Sequence, residues 1–352
     1  MYCVKKRVLV GMSGGVDSSA AAAILQKQGY EVLGITFLLS PTGSDDVAKD
    51  AAKVCKELSI KHEVIDFSEA FKQDVMDYFA DEYKNGRTPN PCVVCNKKIK
   101  FGRFLELAEA KSADFIATGH YARIVKDDVS DKYYLYTSSD KAKDQSYFLY
   151  NITQKQLAHT LFPLDNITKS ETRALAQELN LSVAHRSDSQ DICFIPDGDY
   201  MRFLKEYAGF KDQKGLFRST SGDILGEHNG IAHFTIGQRK GLGVTFGKPM
   251  FVTGLDAKTN TVYLGEKGTE FSEEFTADNL HLIDSDELTS PVELLCKIRY
   301  AAPLAPCTVT PLENGRVHIK MHNPARAVTP GQSVVFYLQE RVIGGAVIEN
   351  IY

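Results

Sequence analysis

The stretch Val8-Leu-Val-Gly-Met-Ser-Gly-Gly-Val-Asp-Ser-Ser-Ala-Ala-Ala-Ala23 constrains this chain more than any other. An apolar run from Val8 to Val10 feeds a glycine-rich turn. An alanine-rich helix is predicted to start near Asp17 or Ser18, either of which is a good N-cap. Strand, small-residue loop and helix N-terminus together cradle phosphate. Consecutive backbone N–H groups point into one concavity, and the helix dipole adds partial positive charge there. Gly11, Gly14 and Gly15 permit approaches that a Cβ would block. Ser13 and Ser18 add hydroxyl donors. A plain turn into a helix needs one cap; two adjacent glycines and two serines exceed that and point to nucleotide binding.

The loop is not a Walker motif, because no lysine lies between Arg7 and Lys27 to reach the β- and γ-phosphates. The glycine spacing also fails the dinucleotide fingerprint. What remains, Ser-Gly-Gly-Val-Asp-Ser (13–18), resembles the PP-loop of the ATP pyrophosphatases. That resemblance implies ATP held by its β,γ-pyrophosphate and attacked at the α-phosphate.

At 352 residues the chain exceeds what one core usually serves, so two or three domains are expected. Up to about residue 140, strands (8–10, 32–37, 62–67, 115–118) alternate with helices (from about 17, 44–58, 68–83, 100–111). This alternation predicts a parallel sheet covered on both faces. Ligands then sit beyond the C-terminal strand ends, so the loops after strands 8–10, 32–37 and 115–118 share a crevice. A hairpin over 121–137 follows, then helices after Thr153, over 169–179 with Thr168 or Ser170 as cap, and over 199–207. Near Gly209 the texture changes to short alternating runs broken by Gly, Asn and Asp. Five β runs (292–300, 307–312, 316–322, 333–339, 342–349), with Asn314-Gly315 as a hairpin turn, suggest a small barrel. The expected fold is α/β: a Rossmann-like parallel-sheet PP-loop domain (1–207), a small β-rich central domain (208–272) and a C-terminal antiparallel β-barrel (273–352).

No apolar run approaches the length of a membrane span. The N-terminal residues run straight into the first strand, without room for a signal peptide. Seven cysteines, an odd number in a long chain, do not read as a secreted disulfide framework. A cytoplasmic protein with reduced thiols is expected. The net charge of −4 argues against nucleic acid, but its distribution does not. From Lys84 to Arg103 there are six basic residues and no acidic one. Such a surface binds phosphates locally, although a charge run is more often a solvated face.

That basic segment contains Asn85-Gly-Arg-Thr-Pro-Asn-Pro-Cys-Val-Val-Cys-Asn-Lys-Lys-Ile-Lys-Phe-Gly102. Two prolines and a glycine predict a non-helical loop, with Cys95 just before a helix that starts near Lys97. A helix N-terminus and nearby ammonium groups both favour thiolate, so Cys95 reads as an activated nucleophile. The pair Cys92 and Cys95 alone is compatible with redox chemistry, metal ligation or two buried thiols. Zinc would want two more soft ligands at regular spacing, and no second C-x-x-C exists. Cys55, Cys296 and Cys307 read as core thiols. Cys193 differs: polar residues Ser187 to Asp191 precede it, and a short apolar strand follows.

Six segments together resemble the tRNA-specific 2-thiouridylases, the MnmA/TrmU family. They are Ser-Gly-Gly-Val-Asp-Ser (13–18); Asn-Pro-Cys-Val-Val-Cys-Asn (90–96) with Ile-Lys-Phe-Gly (99–102); Thr-Gly-His-Tyr-Ala-Arg (118–123); Lys-Asp-Gln-Ser-Tyr-Phe-Leu (143–149); Asp-Ser-Gln-Asp-Ile-Cys-Phe-Ile (188–195); and Phe-Thr-Ile-Gly-Gln-Arg-Lys-Gly-Leu-Gly (234–243). The match runs in order over nearly the whole chain. The PP-loop is shared by several enzyme classes; the combination is specific.

The resemblance implies ATP-dependent 2-thiolation of the tRNA wobble uridine. ATP lies on Gly11, Met12, Ser13, Gly14, Gly15, Val16, Asp17 and Ser18, with Phe37 and Gly119 beside the adenosine. Many family members have Met where Phe37 stands, which suits a backbone contact better than a side-chain one. The flipped base attacks the α-phosphate through its C2 oxygen and pyrophosphate leaves. Mg²⁺ neutralises the pyrophosphate, with Asp17 a possible ligand and helix capping its equal alternative. Sulfur then arrives as a persulfide on Cys193, with Cys95 as the nucleophile that releases it, and the two end as a disulfide. Asn90, Pro91 and Cys92 contact the target base. Lys143, Asp144 and Gln145 touch the tRNA. Arg299 and Tyr300 meet the anticodon stem-loop, although by themselves they read as a strand end with a half-buried tyrosine. A cysteine desulfurase or sulfur carrier protein reloads Cys193.

Some members carry Asp where Cys92 stands. Here three thiols, Cys92, Cys95 and Cys193, leave open a version of the chemistry with a [4Fe–4S] cluster. A PP-loop ligase acting on a carboxylate is a different class, and a non-catalytic tRNA-binding protein a third. The cysteines in polar loops speak against the ligase, and the intact glycines and serines against the binding protein.

Overall fold

The computed structural model describes residues 5–39, 44–186, 192–245, 247–285 and 287–351, with side chains at 44 and 45 excepted. Cys3 and Ser187 to Asp191 lie outside them. The first third of the chain is strand–helix alternation: β1 (Arg7–Gly11), α1 (Val16–Lys27), β2 (Glu31–Leu38), α2 (Ser44–Glu57), β3 (Lys61–Asp66) and β4 (Phe115–Ala117). A hairpin, β5 (Ala122–Asp127) and β6 (Lys132–Thr137), and the short β7 (Thr160–Leu161) follow. The parallel sheet runs β3-β2-β1-β4-β7. Val8, Leu9 and Val10 are fully buried, as a central parallel strand covered on both faces requires. Ala20, Ala21 and Ala22 of α1 are also fully buried; their small side chains let the helix lie close to the sheet.

Helix α1 starts at Val16 rather than at Asp17 or Ser18. Gly15 is its N-cap and makes no side-chain capping bond. Ser18 turns back instead, donating from Oγ to the Gly15 carbonyl at 3.2 Å. The first turn is therefore open to an anion.

The segment from Lys84 onward departs most from expectation. Helix α3 (Pro91–Cys95) begins at the second proline, with Asn90 as cap accepting from the Val93 N–H at 3.4 Å. Proline at the first helical position costs nothing, because its missing N–H has no partner there in any case. A π-helical segment (Asn96–Arg103) then leads into α4 (Phe104–Ala110). Later come α5 (Lys169–Glu178), capped by Thr168, and α6 (Tyr200–Ala208), capped by Asp199. Ile192 to Ile195 form a turn, closed by Ile195 N–H to Ile192 C=O at 2.8 Å, where a strand was expected.

The central β-rich part holds β8 (Gly215–Ser219), β9 (Ile224–His228), β10 (Met250–Asp256) and β11 (Thr261–Glu266), in the order β10-β11-β8-β9. The C-terminal strands are β12 (Phe271–Leu282), β13 (Val292–Lys297), β14 (Ala305–Pro311), β15 (Val317–Arg326), β16 (Ser333–Leu338) and β17 (Arg341–Ile351). They run β12-β15-β14-β13-β16-β17, and a β12–β17 pairing closes them into an antiparallel barrel. Asn314 and Gly315 turn between β14 and β15 with φ of 58° and 68°, the positive angles that Asn-Gly supplies. The hairpin β5–β6 adds to the barrel through β6 and β17, pairing Tyr136 with Arg341. Phe101, Phe104 and Tyr147 share one buried cluster with Val335 and Tyr337 of β16. The first domain and the barrel are thus packed through a common core.

Candidate active site

The loop after β1 is held from below. The Met12 N–H donates to Ile35 C=O at 2.7 Å, and Thr36 Oγ1 donates to Met12 C=O at 2.9 Å. Within the loop, Ser13 N–H donates to Ser18 Oγ at 3.2 Å. Gly14 has φ of 66°, and Arg186 Nη1 donates to its carbonyl at 3.0 Å while also pairing with Asp50. Phe37 is half-buried and meets Phe104 with ring centroids 4.9 Å apart. Gly119 lies against the start of α1: a Cβ there would stand 2.7 Å from the Asp17 carbonyl carbon and 2.8 Å from the Ser18 nitrogen. The loops after β1 and β4 therefore meet at the end of the sheet where α1 begins.

Asp17 is not the cap, which is Gly15, and its carboxylate is engaged by two side chains. Lys169 Nζ lies 2.6 and 2.8 Å from its two carboxylate oxygens, and Tyr121 donates to it at 2.8 Å. The Lys169 side chain is only 12% exposed, whereas that of Asp17 is 35% exposed. The sequence did contain a signal for Lys169. It is the first residue of α5, where the helix dipole disfavours a cation unless something else holds it.

The segment that follows the cysteine helix packs against the loop after β4. His120, next to Gly119, is buried, accepts or donates at 2.7 Å to Thr118 Oγ1, and packs 5.7 Å from the Phe101 ring. Burial, then the nearby Lys100 ammonium, hold His120 in its neutral form, its pKa well below the ordinary value. Upstream, the barrel clamps the loop. Thr88 N–H donates to Pro330 C=O at 2.9 Å, and Gln332 Nε2 donates to Thr88 and Pro89 carbonyls at 2.9 and 3.2 Å.

Cys92, Cys95 and Cys193 are all free thiols. Cys95 is 6% exposed, whereas the Cys92 and Cys193 side chains reach solvent while remaining crowded by neighbouring protein. The expected activation of Cys95 is absent from this arrangement. Burial pushes its thiol up to about 12, with Lys100 pulling the other way and the Cys193 and Cys92 thiols adding to the rise. Placing the helix start at Pro91 removes the N-terminal advantage, since Cys95 closes the first turn and a half. Burial also raises Cys92 and Cys193, again against Lys100. Phe194, beside Cys193, packs in the same apolar cluster as Cys95 and Ile99, which brings the two cysteine segments together. Among the described residues no three His, Cys, Asp or Glu side chains converge as a metal site. The Cys92 and Cys193 thiols nevertheless lie close enough to act on Cys95, and Asp17 is engaged by Lys169 and Tyr121. Cys55, Cys296 and Cys307 are buried core thiols, as expected.

Of the residues assigned to RNA, Asn90 caps α3, Pro91 is buried and Cys92 is exposed. Asp144 is buried and committed internally: Oδ1 accepts from the Ser138 N–H at 2.9 Å and Oδ2 from Ser146 Oγ at 2.9 Å. Gln145 Oε1 accepts from the Tyr121 N–H at 3.0 Å. Both shape the loop that carries half-buried Lys143. Arg299 and Tyr300 lie just beyond β13. Tyr300 packs on Phe148 at 4.5 Å, and the Phe148 carbonyl accepts from Asn96 Nδ2, the residue after Cys95, at 3.1 Å.

A lysine-free phosphate loop on a parallel sheet, with β appendages packed against it, defines a PP-loop nucleotide-dependent enzyme. The tRNA methyl transferase HUP domain family matches residues 6–197, the tRNA methyl transferase PRC-barrel domain family 201–266 and the Aminomethyltransferase beta-barrel domain family 272–348. A tRNA-specific 2-thiouridylase MnmA of Acetivibrio thermocellus is 48% identical, with 98% of this chain and 99% of the relative covered. Its counterpart in Clostridium perfringens is 44% identical, with 99% of each covered. This chain belongs to the MnmA family of tRNA-specific 2-thiouridylases.

Proposed function

We propose that this protein uses ATP to replace the C2 oxygen of the tRNA wobble uridine with sulfur, giving 2-thiouridine, AMP and pyrophosphate. The observation that carries the reading is the loop after β4. Gly119 touches the first turn of α1, and the Lys100 ammonium that acts on the next residue, His120, also acts on the Cys92, Cys95 and Cys193 thiols. A phosphate loop and a pair of thiols therefore flank one short segment, as activation followed by sulfur transfer needs.

ATP lies along Gly11 to Ser18, with its adenosine toward Phe37 and Gly119. The open helix start holds the pyrophosphate as it leaves. The uridine O2 attacks the α-phosphorus, so that an oxygen that leaves poorly becomes part of AMP. The terminal sulfur of a Cys193 persulfide attacks C2 as the Cys95 thiolate attacks Cys193 Sγ. The S–S bond of the persulfide breaks, AMP departs, and a Cys95–Cys193 disulfide forms, which a thiol reductant resets. Asn90, Pro91 and Cys92 face the target base; Lys143, Arg299 and Tyr300 approach the anticodon stem-loop. Mg²⁺ accompanies ATP, and no step here routes through Asp17 as its ligand or through an iron–sulfur cluster. The sulfur donor is a desulfurase or carrier protein. Among the described residues no helix is long and apolar enough to cross a membrane, and a cytoplasmic setting suits free thiols.

The test is thiolation of unmodified tRNA by anaerobically purified protein with ATP and a competent sulfur donor, read by mass spectrometry of the nucleosides. Wild type is expected to form 2-thiouridine, and Cys95→Ala and Cys193→Ala to form none. Absence of product from wild type sinks the reading. Loss of activity in Cys92→Ala together with iron–sulfur absorption in wild type would replace the persulfide route by the cluster.

A further inference from the structure

The motif Phe234 to Gly243 takes no part in the steps above, yet it walls an open recess of about 350 Å³ between the central domain and the barrel. Gly237 and Gln238 form one side, and Arg299, Arg326 and Ala327 the other. The two walls approach closely. A Cβ on Gly237, whose φ is 84°, would stand 2.5 Å from the Cβ of Ala327. Ala327 itself has φ of 55°, a left-handed backbone that an alanine adopts only when its surroundings impose it. Its N–H donates to Glu270 C=O at 2.7 Å.

The cations are fixed in place. Arg299 Nη1 donates to the carbonyls of Arg326 and Ala327 at 3.0 and 3.2 Å, leaving most of its five N–H groups for another acceptor. The Arg326 guanidinium lies 5.8 Å from the Phe251 ring centroid and 3.6 Å from the buried Glu270 carboxylate, with half its side chain exposed. Two guanidinium groups against one carboxylate leave a net positive recess. Planar forks of N–H donors on a rigid frame recognise phosphate.

We propose that this recess binds a backbone phosphodiester of the RNA substrate, with Arg299 and Arg326 as donors and the Gly237–Gln238 turn as its wall. The inference rests on the tRNA reading and assigns Arg326 and the glycine-rich motif, neither of which that reading uses. Its place suits the chemistry: Arg299 faces the recess, while the adjacent Tyr300 packs toward Phe148, so one turn offers a phosphate contact and an aromatic face on either side.

Binding of an unmodified tRNA transcript to the full-length protein is measured between about 50 and 200 mM salt. Arg326→Gln is expected to weaken binding several-fold, equally for tRNAs of different sequence, and to lower the salt slope by about one. Arg326→Lys should keep the slope. In parallel, phenylglyoxal labelling of wild-type Arg326, read by mass spectrometry, should be blocked by tRNA at concentrations near its Kd and by inorganic phosphate only at far higher ones. This arm stands even if a variant misfolds. Equal labelling with and without tRNA, or protection by inorganic phosphate alone, overturns the proposal. Wild type that binds no tRNA at all overturns the underlying reading instead.

Discussion

Cys95 carries a conflict between its proposed role and its surroundings. A thiol pushed from 9.0 to about 12 by burial is protonated at neutral pH, whereas exchange needs thiolate. The Lys100 ammonium favours the charged form against burial and the two neighbouring thiols, so activation requires the site to open or the substrate to offset those effects. Iodoacetamide should therefore modify Cys92 and Cys193 before Cys95 in the ligand-free protein at pH 7, as followed by peptide mass spectrometry. Fastest labelling at Cys95 would contradict this. The same shift has a consequence for stability. Above pH 9.0 the unfolded chain releases a Cys95 proton that the fold retains, so stability is lost as pH rises from 9.0 toward 12. Gly119 is the other exacting residue. Ala there places a Cβ 2.7 Å from backbone that cannot yield cheaply, and should cost about 1–3 kcal/mol with loss of ATP binding in calorimetry. ATP binding at the wild-type Kd would show that α1 shifts freely.

At the scale of elements, α5 shows how capping serves the site. Thr168 Oγ1 accepts from the Glu171 N–H at 3.3 Å, and Glu171 Oε2 accepts from the Thr168 N–H at 2.7 Å, a reciprocal cap. This cap fixes the first turn, from which Lys169 reaches Asp17. Thr168→Ala should lower stability by about 1 kcal/mol, seen as a lower urea midpoint at unchanged slope, and should raise the KM for ATP. An unchanged KM would separate the cap from the nucleotide site. A cap at Thr168 or Ser170 was legible from sequence; Glu171 reaching back to the Thr168 N–H decides for Thr168. The Lys169–Asp17 pair was not legible, because 152 residues separate its partners and only the packed fold joins them. The start of α3 is not legible in the sequence for a different reason. Pro91 serves equally in a loop and at the first position of a helix, and only the Asn90 cap decides between them. The π-helical stretch after it leaves no mark in apolar spacing, since Phe101, Phe104, Leu105 and Ala108 satisfy the α period on their own.

Over the whole molecule, the barrel also holds the backbone that leads into the cysteine helix. The β5–β6 hairpin was readable from its alternation, but not that it extends the barrel sheet through Tyr136 and Arg341, a pairing set by long-range packing. The same holds for the clamp on the cysteine loop. Gly331 has φ of 91°, and a Cβ there would stand 2.9 Å from the Thr88 carbonyl and 3.0 Å from its nitrogen. Those backbone groups bond to Pro330 and Gln332, and they lead within three residues to Pro91 and the start of α3. Gly331→Ala should therefore push the loop off the barrel and move Cys92 and Cys95 without touching Gly11 to Ser18. A displacement of about 1 Å at reacting groups costs about 100-fold in rate. The expected outcome is a fall of that order in 2-thiouridine formation, measured by nucleoside mass spectrometry, with the Kd for ATP unchanged in calorimetry. Were ATP binding to fall in step with thiolation, the substitution would have disturbed the shared core rather than the clamp. Were thiolation to persist, the loop would be held by the first domain alone.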